Sequence, residues 1–531
     1  MSRRPFRRLF RRLLRRSFPQ RGFFSRTLVA VVAAQLLLSG CSAMARPQGQ
    51  WPEPEPQAWE SQRSPQQYPP VVRSVPNFRA PSATHCARPV TTREVPGGSV
   101  DAQYPHLRGD TRARRDAEPA REALAKSEAA AGSATGAGSL SAPAAPAAAR
   151  AESKAFADNT DRAMPRPPTF APPQYAPMPQ PLAQPQRRSQ AVTAGMVDDN
   201  ADFDSYLAFR ARTHVSHRPR DIRERYLLEV KDSRGRGIAD AEVAVQAASG
   251  YSMWARTDAG GRVWLHPNAF DPSLSPQYDI AVRKGGRLSW GQLVRGQKSA
   301  VEVRLDARAV PEQARLDLVF LIDATGSMGD EIDKLKASLR TIVADVARLP
   351  SHPDLCLGMV AYRDHGDAFV TRTHDFSDDV GGFLSDALIP LQADGGGDYP
   401  EAMNEALHEA VHGLSWRGDG ATRMVILIAD APPHLNYGAP HYDDDMVAAL
   451  GKGIKIFSVG ASGLDRQGEF IQRQMAQYTG GKFVFLTYAN AHAPSSGPGR
   501  ETTHDVRNYS VDTLDRLIVR LVTEELGKLA S

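Results

Sequence analysis

Residues 316–327 read Leu-Asp-Leu-Val-Phe-Leu-Ile-Asp-Ala-Thr-Gly-Ser. Leu316–Ile322 is an apolar run broken only by Asp317, of strand rather than helix length, and small residues follow it. That pattern predicts a strand buried on both faces. Working outward, Glu331–Leu349 carries helical periodicity, and Leu355–Tyr362, Arg423–Ala429, Lys455–Val459 and Lys482–Phe485 predict further strands. Helices fit at 400–414, 442–451, 466–478 and 511–529. Strands alternating with helices predict an α/β fold over 311–531, a doubly wound parallel sheet covered on both faces. Such sheets place ligands at the carboxyl ends of their strands.

The residues after the first strand are therefore the ones to weigh. Asp323, Thr325 and Ser327, spaced by Ala324 and Gly326, can turn one carboxylate and two hydroxyls toward one point. Asp430 ends the strand Arg423–Ala429, and Gly395–Glu401 (GGGDYPE) brings Asp398 and Glu401 to the same expected rim. Hard oxygens with few carboxylates suit Mg2+, which keeps several waters; Mn2+ or Ca2+ would fit the same chemistry. Taken alone, Asp323, Thr325 and Ser327 would also suit a capped turn, with Thr325 or Ser327 as N-cap of the helix after Met328.

Asp-x-Thr-x-Ser after an apolar strand, a Gly-rich acidic loop and a strand ending in Asp together resemble the metal-ion-dependent adhesion site of von Willebrand factor A domains. The longer string FLIDATGSMGDEI, GMVAYRDHGD, GGGDYPEA, LIADAPPH resembles the subfamily found with alpha-kinases and in bacterial secreted proteins. The resemblance implies a Rossmann-like fold and a metal that binds a partner's Asp or Glu carboxylate rather than catalysing a reaction. Two departures stand out. Gly397 occupies the place where many A domains have a threonine, and Thr325 replaces the commoner serine. The DYPE tetrapeptide instead is similar to the Asp-Ser-Pro-Glu of integrin β-subunit domains, which implies Glu401 as the loop ligand, with Asp398 second.

Competing constellations are weaker. His408-Glu409-Ala410-Val411-His412 matches the H-E-x-x-H helix of zinc metalloproteases. Met403, Ala406, Leu407, Ala410, Val411 and Leu414 form the apolar stripe of that helix, which places both histidines on its outer, solvated face. A metal-dependent hydrolase, at this helix or at the adhesion-type metal, is the alternative function. Asp443-Asp444-Asp445 reads as a solvated acidic turn near a helix start. Arg363-Asp364-His365-Gly366-Asp367 reads as a structural ion-pair loop or a partner-contacting one. No nucleophile elbow and no Walker lysine appear.

Upstream, residues 222–310 carry short alternating segments: Arg225–Lys231, Ala241–Gln246, Arg262–Leu265, Tyr278–Val282 and Ala300–Leu305. Gly/Asp turn signals lie between them, which predicts a small all-β sandwich. Val230–Leu265 resembles the Ig-like carboxypeptidase-regulatory type. Residues 197–221 form a bridge whose acidic cluster before Phe203 and Tyr206 suits a helix cap. Residues 41–196 are rich in Pro and Ala and read as a disordered tether, with an end-to-end distance on the order of 70 Å as a coil.

Residues 1–40 combine an Arg-rich start with the apolar run Thr27–Leu38, too short to span a bilayer. Leu38-Ser39-Gly40-Cys41 resembles the bacterial lipobox, which implies a lipidated Cys41 and a membrane-anchored chain. Ser42 fits outer-membrane sorting, so the expected location is the bacterial cell envelope, facing the periplasm. Ser2–Arg7 also looks like a twin-arginine export motif.

The formal charge of +5 conceals an asymmetry, because residues 311–531 hold 32 acidic against 19 basic side chains. The basic excess lies upstream, with no basic patch interleaved with aromatics in the folded part, so nucleic acid is not an expected partner. Three cysteines are too few for a disulfide scaffold. Cys356, inside an apolar run, reads as a buried, inert thiol, and Cys86 stands in Pro-rich sequence with no indicated partner.

Overall fold

The computed structural model describes Cys86, residues 92–97, 191–307, 313–397, 399–418 and 420–530. Two strands, β1 (Thr92–Pro96) and β2 (Thr193–Val197), come before any expected domain. A β-rich unit follows: β3 (Tyr226–Lys231), β4 (Glu242–Ala247), β5 (Ser252–Arg256), β6 (Arg262–Leu265), β7 (Gln277–Lys284), β8 (Arg287–Val294) and β9 (Val301–Arg304). The last part holds β10 (Arg315–Asp323), β11 (Asp354–Tyr362), β12 (Phe369–Ser377), β13 (Ala421–Ala429), β14 (Ile454–Gly460), β15 (Phe483–Thr487) and β16 (Val511–Thr513).

The large sheet has the order β1-β12-β11-β10-β13-β14-β15-β2-β16. Its core, β11-β10-β13-β14-β15, is parallel, with β12 added antiparallel. β10 occupies the middle because its side chains can be buried on either face. Leu316, Leu318, Phe320 and Ile322 enter one apolar cluster, and Val319 and Leu321 enter the other. All six are essentially inaccessible, each stabilising the fold by roughly 1.5–3 kcal/mol. Asp317, the one polar residue in the run, is buried too and accepts hydrogen bonds from the Arg417 backbone N–H at 2.9 Å and from its Nε at 2.5 Å.

Six helices matter for the site: α1 (Phe203–Arg212), α2 (Gly329–Ala347), α3 (Met403–His408), α4 (Tyr442–Lys452), α5 (Arg466–Thr479) and α6 (Leu514–Gly527). α2 and α6 pack together and supply apolar side chains to the cluster on one face. α3, α4 and α5 contribute to the opposite cluster. α3 runs on as a wider π turn, Glu409–Gly413.

The β-rich unit forms two sheets, β6-β3-β9 and β5-β4-β7-β8, whose inward residues Leu228, Val230, Val243, Val245, Ile280 and Val303 share one core. That core continues into the α4–α5 layer, where the His266 and Tyr478 rings stack at 5.0 Å. Asp240, buried and at φ +53°, joins the two parts. It accepts from Arg256 Nε at 2.6 Å, Arg423 Nη1 at 2.8 Å and the Gly420 N–H at 2.6 Å. Burial alone would raise its pKa, but Arg256, Arg423 and Lys284 hold it well below the usual carboxylate range.

Several expectations need correction. The stretch 41–196 is not wholly a tether, since β1 pairs antiparallel with β12 and β2 lies between β15 and β16. Cys356 is not a free thiol: it forms a disulfide with Cys86, with Cα atoms 5.8 Å apart. Asp443, Asp444 and Asp445 are buried rather than solvated. Arg218 and Arg220, from the bridge, cover the first two of them. The segment expected as a helix over 511–529 starts as β16. In the bridge, Asp202 caps α1 as expected, and Phe209 stacks on Phe470 of α5 at 5.9 Å. Asp199 is committed to Arg473, at 2.6 and 2.9 Å.

Candidate metal centre

In the sheet order, β11 flanks β10 on one side and β13 on the other, so the chain winds away in opposite directions from β10 and β13. A crevice opens at the carboxyl ends of such a strand pair. Asp323 ends β10 and Asp430 follows β13 directly.

Backbone hydrogen bonds join the loops at this end. The Ala324 N–H donates to Tyr362 O at 2.8 Å, tying the first loop to the end of β11. The Asp394 N–H donates to Ala324 O at 3.0 Å and the Gly326 N–H to Gly395 O at 2.9 Å. The Glu401 N–H donates to Pro432 O at 3.2 Å, linking the Gly-rich loop to the one after β13. Gly396 adopts φ +68°, and a Cβ there would sit 2.7 Å from Thr325 Cβ and 2.8 Å from Glu401 Oε1. Only glycine lets the loop pass between those two side chains.

Within this frame Asp323 Oδ1 accepts from the Thr325 N–H at 3.0 Å and Thr325 Oγ1 at 2.7 Å, and Thr325 Oγ1 lies 3.1 Å from Ser327 Oγ. Thr325 makes no side-chain capping bond to the turn that follows, and Ser327 does not cap α2, whose N-cap is Met328. Neither hydroxyl thus serves as a helix cap, although Thr325 holds the N-cap position of the turn Gly326–Met328. Asp323 Oδ2 and Asp430 Oδ1 are buried with no hydrogen-bond partner. Burial, then the charge of Asp430, raises the Asp323 pKa to about 7, against the Thr325 hydrogen bonds. Burial raises Asp430 to about 6, helped by the charge of Glu331 and opposed by the nearby Ser327 hydroxyl. Burial pushes the Tyr362 phenol well above its ordinary value, and the charges of Asp323, Asp430 and Glu401 add to that. Asp398 lies outside the described residues.

Residues 317–433 match the family described as von Willebrand factor A domain. The chain is 34% identical over 128 residues to an ariadne-like RING finger protein of Acanthamoeba polyphaga mimivirus. It is 31% identical over 140 residues to the alpha-protein kinase vwkA of Dictyostelium discoideum. This chain contains a von Willebrand factor A domain. The two matches cover 23% and 26% of the chain and only 12% and 22% of the relatives' own length. Among solved structures, the pilus adhesin SpaC from Lactobacillus rhamnosus GG in its open conformation aligns over 39% of this chain and 31% of that one. That alignment has 13% identity and a TM-score of 0.25.

Around the A-domain site, the loop Arg363–Asp367 turns out to be internal bracing. Asp367 Oδ2 accepts from the Asp364 N–H at 2.9 Å and the Gly396 N–H at 2.8 Å, which fixes the Gly-rich loop. His434 Nε2 lies 2.8 Å from Asp364 Oδ1, and His365 Nε2 lies 3.0 Å from Glu405 Oε1. Asp367 thus helps build the site, and its place just after a core strand is the sequence signal for it. The H-E-x-x-H segment stands elsewhere, at the contact with α4. Its apolar stripe is buried as expected, yet His408 and His412 are half-buried and hydrogen-bonded rather than freely solvated. Glu409 is ion-paired with Arg93 of β1.

Proposed function

We propose that the A domain holds Mg2+ through Asp323, Thr325, Ser327, Glu401 and Asp430, and that it binds a protein partner offering an Asp or Glu carboxylate. The observation that carries this reading is the pair of buried, partnerless oxygens, Asp323 Oδ2 and Asp430 Oδ1, at the ends of adjacent strands. Uncompensated buried carboxylates are strongly unfavourable. A hard divalent cation matches them and the neighbouring hydroxyls. When bound, Mg2+ would supply an electrophilic coordination position open to an incoming carboxylate; Mn2+ or Ca2+ would serve in the same way. The chain's own residues set the site: Thr325 orients Asp323, Asp367 fixes Gly396, and Gly396 leaves room for Glu401. A hydrolase working at the H-E-x-x-H helix has less support, because its glutamate is engaged by Arg93.

The same proposal places the chain in a bacterial envelope, anchored through lipidated Cys41 with the A domain facing the periplasm. Cys41 lies outside the described residues, and no described helix is long and apolar enough to cross a membrane. The Cys86–Cys356 disulfide supports export, because such bonds persist in oxidising compartments. Mg2+ calorimetry on the full-length chain and its Asp323→Ala variant tests the site, and equal heats in both would reject it. A pull-down from envelope extracts with and without EDTA tests the partner, which should be retained only with metal.

A further inference from the structure

We infer that His408, His412 and Asp445 form a second cation site, for a zinc-class transition metal, that clips the α3 segment to α4. It is independent of the Mg2+ reading. The two histidines stand four residues apart at the junction where α3 passes into its π turn, so their rings lie side by side with centroids 4.6 Å apart. His408 Nδ1 and His412 Nε2 converge on a single oxygen, Asp445 Oδ1, at 3.0 and 2.9 Å. One ligand atom from each of the three residues lies within 4.8 Å of the others.

A second observation points to a ligand. Asp445 belongs to α4 and its side chain is 2% exposed, yet its other oxygen, Oδ2, is buried with no hydrogen-bond partner. Both imidazole contacts go to Oδ1, so Oδ2 stays without a hydrogen bond, and a bound cation would supply its missing partner. The side chains of His408 and His412 are 45% and 28% exposed, which gives an ion a path from solvent to the carboxylate.

The donor set selects the metal. Two imidazoles and one carboxylate suit Zn2+ and its first-row neighbours, whereas the all-oxygen A-domain site suits Mg2+. Binding requires the proton of His408 on Nε2 and that of His412 on Nδ1, so that the converging nitrogens offer lone pairs. Three protein ligands leave a fourth position toward solvent. The Glu409 carboxylate is turned to Arg93, which also donates to Gly413 O at 3.0 Å, so the role assigned is binding and bracing rather than hydrolysis.

The test is a Zn2+ titration of the full-length chain, purified without a polyhistidine tag and with Mg2+ in excess. Co2+ absorption serves as a second probe of imidazole coordination. One Zn2+ is expected to bind, to raise the melting temperature, and to lose at least about ten-fold in affinity in each of His408→Ala and His412→Ala. Glu409→Gln should leave the affinity unchanged. Equal Zn2+ affinity in wild type and both histidine variants, or a Co2+ spectrum that the variants do not alter, would overturn the proposal.

Discussion

Replacing Asp323 by Asn should act in opposite directions with and without metal. In the metal-free protein Asp323 is a buried carboxyl whose pKa rises from 3.8 to about 7. That difference corresponds to about 4 kcal/mol by the usual conversion, an upper figure because Asp430 shares the same repulsion. A carboxyl with a raised folded pKa holds its proton more tightly in the folded state. Its stabilising effect is therefore complete below about pH 4, is lost as pH rises to about 7, and stays lost above that. Asn keeps an acceptor for the Thr325 N–H and hydroxyl but carries no charge. At pH 8 in EDTA, Asp323→Asn should be more stable than wild type by about 2–4 kcal/mol, and its stability should fall less between pH 5 and 8. With excess Mg2+ the order should reverse, because only the wild type gains from binding. Urea unfolding at both pH values, with EDTA and with Mg2+, reads all four quantities. An Asn variant less stable than wild type in EDTA at pH 8, or an equal Mg2+ gain in both proteins, would refute the reasoning.

Three further outcomes are expected. Gly396→Ala meets both a positive φ and the close approach of Thr325 and Glu401, so it should weaken Mg2+ binding by about ten-fold or more, measured by calorimetry, with the circular dichroism of the sheet retained. Asp240→Ala leaves the buried guanidiniums of Arg256 and Arg423 without their shared carboxylate, and urea unfolding should show a loss of about 3–5 kcal/mol. Reduction of Cys86–Cys356 should cost about 2–5 kcal/mol, seen as a lower melting temperature in dithiothreitol, and Cys86→Ser should show the same loss without reductant.

Two kinds of strand are legible in the sequence: those buried on both faces, and the alternating ones of the β-rich unit such as β3 and β9. β10, interrupted only by Asp317, and β13 read as apolar runs, and the placement of Asp323 and Asp430 at their ends follows from that. β12 was missed because Phe369–Ser377 interleaves Thr371, Arg372, Thr373, His374 and Asp375. These polar residues are satisfied by neighbours that local pattern does not reveal, such as Thr92, whose hydroxyl lies 3.0 Å from His374 Nδ1. β5 and β8 escaped for related reasons, since Trp254, Arg256 and Trp290 break any simple alternation. The acidic run Asp443–Asp445 looks solvated in the sequence because its arginine partners stand more than two hundred residues upstream. The disulfide is likewise beyond spacing arguments, its cysteines standing 270 positions apart. Asp367 shows the same limit within the site: its role depends on Gly396, which the fold brings to it.

The Cys86–Cys356 link also fixes how the protein would carry tension. β1 is an edge strand, held to β12 by an antiparallel ladder that can peel bond by bond. Cys86 precedes β1, and its sulfur is joined to β11, two strands further in. A pull arriving from residues before Cys86 therefore bypasses the edge and enters the parallel core as a covalent connection. In an oxidising environment the ladder between β1 and β12 is shielded from that force. In a reducing one it becomes the first mechanical junction, and the Arg93–Glu409 ion pair goes with it.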